Sequence, residues 1–126
     1  MLELEKLLPK KPSAVRQLRV AELIKMTIAE ALTKGEIDSK IILDNFITIS
    51  NVKISPDLRN ATIYITVFQS TNLKALLEEL NKFSPKFRFI IAKNIKLKSA
   101  PQILFRYDDS LEQSDRINKL ISSTPE

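Results

Sequence analysis

The stretch NKFSPKFRFIIAKNIKLKSAPQILFR, residues 81–106, joins a basic helical pattern to a short alternating segment. It holds seven of the chain's 20 cations and no carboxylate. Because the whole chain has a formal charge of +5, the remainder sums to −2, and the basicity is local. A helix over residues 86–96 would turn by about 100° per residue and separate two faces. The basic face holds Lys86, Phe89, Lys93 and Lys96, and the apolar face holds Phe87, Ile91 and Ile95.

A helix face that combines lysines with an aromatic residue suits a nucleic-acid backbone. Lysines neutralise phosphates and release counterions, and an aromatic ring offers a base a stacking surface. A helix face that only contacts water has the same pattern, because runs of charge commonly face solvent. The stretch alone therefore leaves RNA binding and a solvated face as two open interpretations.

The composition excludes several classes of function. The chain has no cysteine and no histidine, which excludes disulfides, thiolate metal sites and a cysteine nucleophile and removes the commonest general base. Gly35 is the only glycine, which excludes a P-loop and a dinucleotide-binding fingerprint. We expect no cofactor, no metal, no small-molecule substrate and no catalysis.

Length, hydropathy and charge predict how the chain is organised. The 126 residues and 44% hydrophobic content predict a single domain over residues 13–121, with a basic arm at 1–12 and a loose tail at 122–126. No apolar run is long enough to cross a bilayer, and the N-terminus does not resemble a signal peptide. We therefore expect a cytoplasmic monomer with no membrane partner. The pI near 9.5 favours nucleic acid or an acidic surface as partner.

The residues that follow the arm predict one long helix. Apolar residues recur at steps of three and four from the N-cap Ser13 to Thr33, and Gly35 ends the pattern. The apolar stripe consists of Val15, Leu18, Ala21, Ile24, Ile28, Ala31 and Leu32. Arg16 and Arg19 lie near the N-terminus, where the helix dipole disfavours cations, so they indicate a ligand or are solvated.

The middle of the chain predicts a hairpin. Residues 36–46 form a connection whose apolar members, Ile41, Ile42, Leu43 and Phe46, are expected at the core edge. Residues 47–55 and 61–68 then alternate as two antiparallel strands. The apolar phase shifts within the first strand, which predicts a bulge near Ser50 and Asn51. On the second strand, Tyr64 and Phe68 either stack on bases or pack against the fold.

The last part of the chain predicts two helices, a strand and a short helix. Residues 72–82 form a helix that Ser84 interrupts, and the next helix begins at Pro85, since proline fits the first turn of a helix. Residues 102–107 alternate as a third strand. The residues that would cap the short last helix are Asp108, Asp109 and Ser110.

This order of elements predicts an α+β fold, with helices packed on one face of a three-stranded sheet. Helix, strand, strand, helix, helix, strand is the order of type II KH domains. KH domains clamp a nucleic-acid backbone at the turn between two helices, usually with a GxxG loop. Here that turn, residues 83–86, has no glycine, which argues against conventional KH clamping.

Three segments resemble the bacterial ribosome-binding factor A family over residues 16–121. They are RQLRVAELIKMTIAEAL at 16–32, VKISPDLRNATIYITVF at 52–68 and APQILFRYDDSLEQSDRI at 100–117. The third is the most specific, because a proline, a strand ending in Phe and Tyr-Asp, and Asp-Ser before a helix recur together in that family. In the family, a kink built on alanine, serine and glycine replaces the GxxG turn. The corresponding residues here are Phe83, Ser84 and Pro85, of which only the serine matches.

The resemblance implies a non-catalytic factor that binds the free small (30S) ribosomal subunit and its 16S rRNA. It also implies assistance in 5′-end processing, departure before translation begins, and importance for growth in the cold. The cations expected to contact rRNA are Arg16, Arg19, Lys82, Lys86, Arg88, Lys93, Lys96 and Lys98. The lysines of the arm would add long-range attraction.

Two other functions stay open at this point. One is a protein–protein adaptor that works independently of RNA. The other is a metal-dependent RNA-processing enzyme that uses the carboxylates of Asp57, Asp108 and Asp109, although the lack of histidine, cysteine and glycine-rich loops argues against it.

Overall fold

The computed structural model describes residues 12–67 and 72–110. Its elements are α1 (Pro12–Thr33), α2 (Lys40–Leu43), β1 (Ile47–Ile54), β2 (Asn60–Val67), α3 (Leu73–Lys82), α4 (Ser84–Asn94) and β3 (Gln102–Tyr107). The predicted order is confirmed, with α2 as an additional single turn of helix. Nearly all of the predicted arm, together with Phe68, the terminal helix beyond Ser110 and the tail, lies outside the described residues.

The sheet has the strand order β1-β2-β3. The strands β1 and β2 are antiparallel, as predicted, and β3 joins β2 in parallel, so α3 and α4 form the crossover between them. Ile49 pairs with Ile65 and Asn51 pairs with Tyr64, which leaves Ser50 as the extra residue of a bulge. The predicted bulge is confirmed, and it returns Val52 to the same face as Ile49.

The core lies between the helices and one face of the sheet. Along β2, the buried Ala61, Ile63 and Ile65 alternate with half-buried residues on the opposite face. α1 packs on β1 and α4, while α3 and α4 pack on β3. Phe87 and Phe105, the largest fully buried side chains among the described residues, contact each other with ring centroids 4.8 Å apart. The predicted packing of helices on one face is therefore confirmed.

Four predicted positions in the apolar pattern are corrected. α1 begins at Pro12, so Ser13 lies inside the helix and is not its N-cap. Leu18 is 56% exposed because it lies about 160° around the helix from Val20, which is buried in its place. In the connection, Ile37 and Ile42 hold the chain against the core. The two residues that instead face solvent are Leu43 and Phe46.

Gly35 ends α1 in a Schellman motif, as its position in the sequence predicted. Its φ of +68° lies in the left-handed region, where glycine avoids the steric cost of a side chain. The N–H of Glu36 donates to the carbonyl of Ala31 at 3.0 Å, and the N–H of Gly35 donates to that of Leu32 at 3.2 Å. The chain therefore turns away from the helix axis toward Ile37.

The outer edge of β3 is fastened to the junction between α3 and α4. No described strand pairs with this edge, so its backbone groups need other partners. The Asn81 side chain supplies two: its Oδ1 accepts from the N–H of Phe105 at 2.8 Å, and its Nδ2 donates to the Phe105 carbonyl at 3.2 Å. The Ser84 hydroxyl donates to the Ile103 carbonyl at 2.9 Å. These bonds hold the end of α3 and the start of α4 against the sheet.

At the other end of β3, Asp108 connects the strand to the bulge of β1. Its N–H donates to the Ile65 carbonyl at 2.8 Å, and its carboxylate accepts from the Ser50 hydroxyl at 2.5 Å and the Ser110 N–H at 3.0 Å. Hydrogen bonds from Ser110 and Ser50, with a contribution from the charge of Lys53, lower the pKa of Asp108 to about 2. Ser50, the bulge residue of β1, is thus bonded to Asp108, which directly follows β3, although β1 and β3 are not neighbours in the sheet.

We expect Asn81→Ala to lower the free energy of unfolding by about 1–3 kcal/mol, because it leaves the buried N–H and carbonyl of Phe105 without partners. Asn94→Ala is the matched control, since the Asn94 amide bonds to Ile90 in its own helix, and it should change stability by less than about 0.5 kcal/mol. Urea denaturation measures both. Equal effects of the two substitutions would contradict the role of Asn81 in holding β3 to the junction of α3 and α4.

We expect the destabilisation caused by Asp108→Asn to depend on pH. A carboxylate whose folded pKa lies below its unfolded value, about 4, stabilises the fold above that value and loses this contribution as the pH falls through its folded pKa. The difference in denaturation midpoint between wild type and Asp108→Asn should therefore be largest near pH 7 and should shrink between about pH 5 and pH 2. A difference that stays constant with pH would contradict this role.

Candidate nucleic-acid interface

α4 carries an exposed basic face. Lys86, Phe89 and Lys93 all face solvent, and the Lys86 Nζ lies 5.6 Å from the centroid of the Phe89 ring. The opposite face is buried, so the predicted separation of the two faces is confirmed: Phe87 and Ile91 are 0% exposed. Burial of this apolar face fixes the direction in which the lysines point.

The predicted basic face ends earlier in the helix than expected. α4 stops at Asn94, and Ile95 is extended, so Lys96 follows the helix and belongs to the loop before β3. Lys96 and Lys98 are both exposed there. The three lysines Lys86, Lys93 and Lys96 therefore lie on α4 and the loop together, instead of on one continuous helix.

At the junction, Phe83 closes α3 and opens α4. Its N–H bonds to the carbonyls of Glu79 and Leu80, and its own carbonyl accepts from the N–H groups of Lys86 and Phe87. α4 starts at Ser84, one residue before the predicted start, and Pro85 is exposed in its first turn. The three predicted kink residues therefore lie at the junction between α3 and α4, where Ser84 is bonded to β3 and Pro85 faces solvent.

Lys82, the last residue of α3, is exposed at this junction. Its Nζ is 3.8 Å from the Glu79 Oε1, and its side chain is 77% exposed. A solvent-exposed pair at that distance contributes little, so the ammonium stays accessible to an anion. Lys82 thus continues the run of exposed lysines to the junction, where it also borders an open recess with Asp38, Lys40 and Asp44.

Arg88 has a structural contact that the sequence pattern did not indicate. Its Nε donates to the Pro101 carbonyl at 3.1 Å, and its Nη2 donates to the Ala100 carbonyl at 3.2 Å. The side chain is half-buried. Two of its five N–H groups thus hold the loop that carries Lys96 and Lys98.

The cations of α1 lie at the end of the molecule where this loop enters the sheet. The Gln17 side chain donates to the Ile54 carbonyl at 3.0 Å, so the start of α1 lies beside the end of β1. The N–H of Gln102 donates to the Arg59 carbonyl at 2.7 Å, so the loop meets the same end. Three elements that carry exposed cations therefore meet at this end: the start of α1 with Arg16 and Arg19, the β1–β2 turn with Arg59, and the loop with Lys96 and Lys98.

Arg59 was missed by the sequence argument. It lies in the β1–β2 turn, where a single cation beside a carboxylate gives no periodic signal. The Asp57 carboxylate accepts from the Ser55 hydroxyl at 2.6 Å and from the Arg59 N–H at 3.0 Å, and these two bonds lower its pKa. The turn therefore uses Asp57 to fix its backbone and leaves the Arg59 side chain exposed.

An open groove runs along β3 beyond Asn81. It has a volume of about 710 Å³, and Lys74 and Arg106 lie among the side chains that line it between α3 and the strand. On the sheet face away from the helices, Tyr64 is half-buried, with the Lys53 Nζ 5.5 Å from its ring centroid. Tyr64 thus lies outside the core, packed beside a cation.

The carboxylates considered for metal-dependent catalysis do not come together. Asp57 lies in the turn before β2, whereas Asp108 bonds to Ile65 near the end of β2. Five residues of β2, from Asn60 to Ile65, therefore separate the Asp57 turn from Asp108, a distance of roughly 17 Å along the strand. Within residues 12–67 and 72–110, no group of three or more metal-ligating side chains is found. No helix in the same residues is long and apolar enough to cross a membrane.

The chain matches the ribosome-binding factor A family model over residues 16–121. It is similar to ribosome-binding factor A of Rhodopseudomonas palustris strain BisB18, with 34% identity over 106 residues that cover 84% of this chain and 77% of the relative. That of Methylobacterium sp. strain 4-46 is 35% identical over 108 residues, which cover 86% of this chain and 78% of the relative.

Solved structures agree with this match. One match is the solution NMR structure of a Thermotoga maritima protein assigned to ribosome-binding factor A, with 33% identity and a TM-score of 0.64. The match covers 82% of this chain and 96% of that one. The crystal structure of ribosome-binding factor A from Thermus thermophilus, at 19% identity and a TM-score of 0.59, covers 72% of this chain and 94% of its own and shows the fold alone. The predicted α+β, KH-like fold is therefore confirmed, and this chain belongs to the ribosome-binding factor A family.

Proposed function

We propose that this chain binds the free small (30S) ribosomal subunit through its 16S rRNA and acts there without catalysis. The observation that carries the proposal is the exposed basic face of the junction, α4 and the following loop, which holds five lysines, and no carboxylate lies from Ser84 to Tyr107. The lysines of this surface, named the α4 basic surface, are Lys82, Lys86, Lys93, Lys96 and Lys98.

The α4 basic surface suits recognition of a folded RNA backbone. Lysine ammonium groups pair with phosphates as point charges and carry no base specificity. Phe89, which is 62% exposed among them, offers a flat apolar surface to a base or ribose. Since the helix itself is fixed against the core, the spacing of the lysines along the surface is fixed as well, and the expected mode is recognition of RNA shape.

The cations at the end of α1 and in the β1–β2 turn extend this surface. The elements that carry Arg16, Arg19 and Arg59 meet at the end of the molecule where the loop with Lys96 and Lys98 joins β3. One RNA segment can therefore contact both sets of cations. Arg88 serves mainly as a positioning residue, because it anchors the loop to α4. Each phosphate contact releases counterions, so the affinity should fall steeply with salt.

In this proposal the protein acts by holding one rRNA conformation. A protein that binds one of two RNA conformations more tightly shifts the population toward it. Competing RNA pairings are harder to resolve in the cold, which fits the proposed importance for growth at low temperature. Assistance in 5′-end processing would follow if the favoured conformation exposes that end to a nuclease. Departure before translation then frees the subunit.

The comparisons support the partner. A Thermus thermophilus ribosome-binding factor A homology model has been fitted into a cryo-EM map of a 30S complex. The similarity of that protein to this chain, 17% identity at a TM-score of 0.58 over 71% of this chain and 91% of its own, concerns the fold. The proposal for this chain rests on its own basic surface together with its family.

We expect Lys93→Glu combined with Lys96→Glu to weaken binding to purified small subunits by roughly tenfold or more, and to reduce the dependence of log K on log salt by about two, one for each lost phosphate contact. Co-sedimentation across a salt series, with large subunits in parallel, measures both quantities. Lys25→Glu combined with Lys74→Glu makes the same change in net charge on α1 and α3 and is the matched control.

The control pair should weaken binding much less than the Lys93 and Lys96 pair. Binding that is unchanged in the Lys93 and Lys96 variant, while its thermal unfolding matches wild type, would contradict the role of the α4 basic surface. Equal binding of the wild-type protein to both ribosomal subunits would contradict the proposed partner.

A further inference from the structure

The end of the molecule that holds the C-terminus of α1 carries exposed apolar side chains. Phe46 is 75% exposed, the highest value among the large hydrophobic residues in residues 12–67 and 72–110, and Leu43 is 52% exposed. Both border a recess of about 290 Å³ between the last turn of α1 and residues 42–47. We name Leu43, Phe46 and this recess the Phe46 patch.

The Phe46 patch is not a by-product of a loose connection. Ile37 and Ile42 on either side of it are 1% and 4% exposed, and Ser39, which caps α2, is 7% exposed. The Asn45 side chain donates to the Ile41 carbonyl at 2.6 Å. The connection is thus anchored to the core on its inner side while it presents a leucine and a phenylalanine outward, beside a recess with room for one large apolar side chain.

The charge around the patch identifies the class of partner. Residues 30–46 hold four carboxylates, Glu30, Glu36, Asp38 and Asp44, against Lys34 and Lys40. The Lys34 Nζ is paired with Glu30 at 2.6 Å. This leaves three exposed carboxylates against one lysine, a net charge of −2 on a chain whose total is +5. Lys82 borders Asp38 and Asp44 at an adjoining recess, but Glu79, 3.8 Å from its Nζ, balances its charge there. Such a surface repels RNA phosphates and attracts a basic protein segment.

The position of the patch lets it act together with the basic end of the molecule. β1 begins at Ile47, beside Phe46, and ends at Ile54, beside the start of α1. An eight-residue strand spans roughly 25 Å, which separates the Phe46 patch from Arg16, Arg19 and Arg59. A particle that contains both RNA and basic proteins can therefore contact the two ends at the same time.

We propose that the Phe46 patch is a docking surface for a basic protein segment that inserts one large apolar side chain beside Phe46. Exposed aromatic side chains next to a recess are common anchors of protein interfaces, and the surrounding carboxylates would pair with the lysines or arginines of the segment. This inference rests on the proposed function, because the small ribosomal subunit is the particle on which the protein would meet this segment.

The test compares two exposed phenylalanines with different surroundings, Phe46 in the Phe46 patch and Phe89 on α4. We expect Phe46→Ser to weaken binding to intact small subunits by roughly tenfold and to leave binding to protein-free 16S rRNA unchanged. Phe89→Ser, on the α4 basic surface, should weaken binding to both. Because both side chains are mostly exposed, both variants should fold, and thermal unfolding checks this.

A photo-crosslink identifies the contact directly. Phe46→p-benzoylphenylalanine in the full chain, bound to small subunits and irradiated, should form an adduct with a basic ribosomal protein, and the crosslinked peptide should be rich in lysine or arginine. An adduct with rRNA would overturn the inference. So would equal binding of Phe46→Ser and wild type to the subunit, or an equal loss of binding to the subunit and to the free RNA.

Two further outcomes separate this inference from the proposed function. Self-association of the wild-type protein that Phe46→Ser abolishes would make a second copy of this chain the occupant and would overturn the inference alone. Failure of the wild-type protein to bind small subunits would overturn the proposed function, and the inference with it.

Discussion

The pairing of the Asn81 side chain with the backbone of Phe105 is the contact on which the geometry of the basic surface depends. β3 ends the sheet, and one asparagine satisfies the N–H and carbonyl that a further strand would otherwise bond. Ser84 adds a third bond three residues later, at the first residue of α4. Since these residues flank Phe83, the direction in which α4 leaves the junction is set by the sheet. Ser84 therefore has a structural role that does not depend on any contact with RNA.

Burial of one side of α4 turns this geometry into an electrostatic surface. Phe87 and Ile91 pack into the core, with the Phe87 ring against that of Phe105. This packing fixes the orientation of α4, so its lysines stay on the side that faces solvent. Arg88 then fixes the loop that continues the charge toward the start of α1. No carboxylate lies from Ser84 to Tyr107, whereas Glu36, Asp38 and Asp44 are exposed in the connection that also carries Phe46. The fold thus separates a surface suited to RNA from one suited to a basic protein segment.

The sequence predicted what is periodic. The three longer helices, the three strands, the bulge at Ser50 and the two faces of α4 follow from apolar spacing and proline positions, and their bounds are within one or two residues of the structure, whereas the single turn α2 was not predicted. Contacts between side chains and a distant backbone have no such signal, so the roles of Asn81 and Arg88, which bond across 24 and 13 residues, were not predicted. Phe46 was misplaced because hydrophobicity alone does not distinguish a residue at the core edge from one that a single turn of helix directs outward. Arg59 was missed for the opposite reason, since a lone cation in a turn forms no pattern.

An ordered basic surface requires that β3 stays fastened to the junction of α3 and α4, and amide hydrogen exchange of the free protein tests this most directly. The Phe105 N–H, bonded to Asn81 at 2.8 Å in a residue that is 2% exposed, should exchange only through opening close to global unfolding, as slowly as the amides of β2. Exchange of the Phe105 N–H at the rate of an unpaired edge-strand amide, while β2 stays protected, would show that the junction opens freely and would contradict the account.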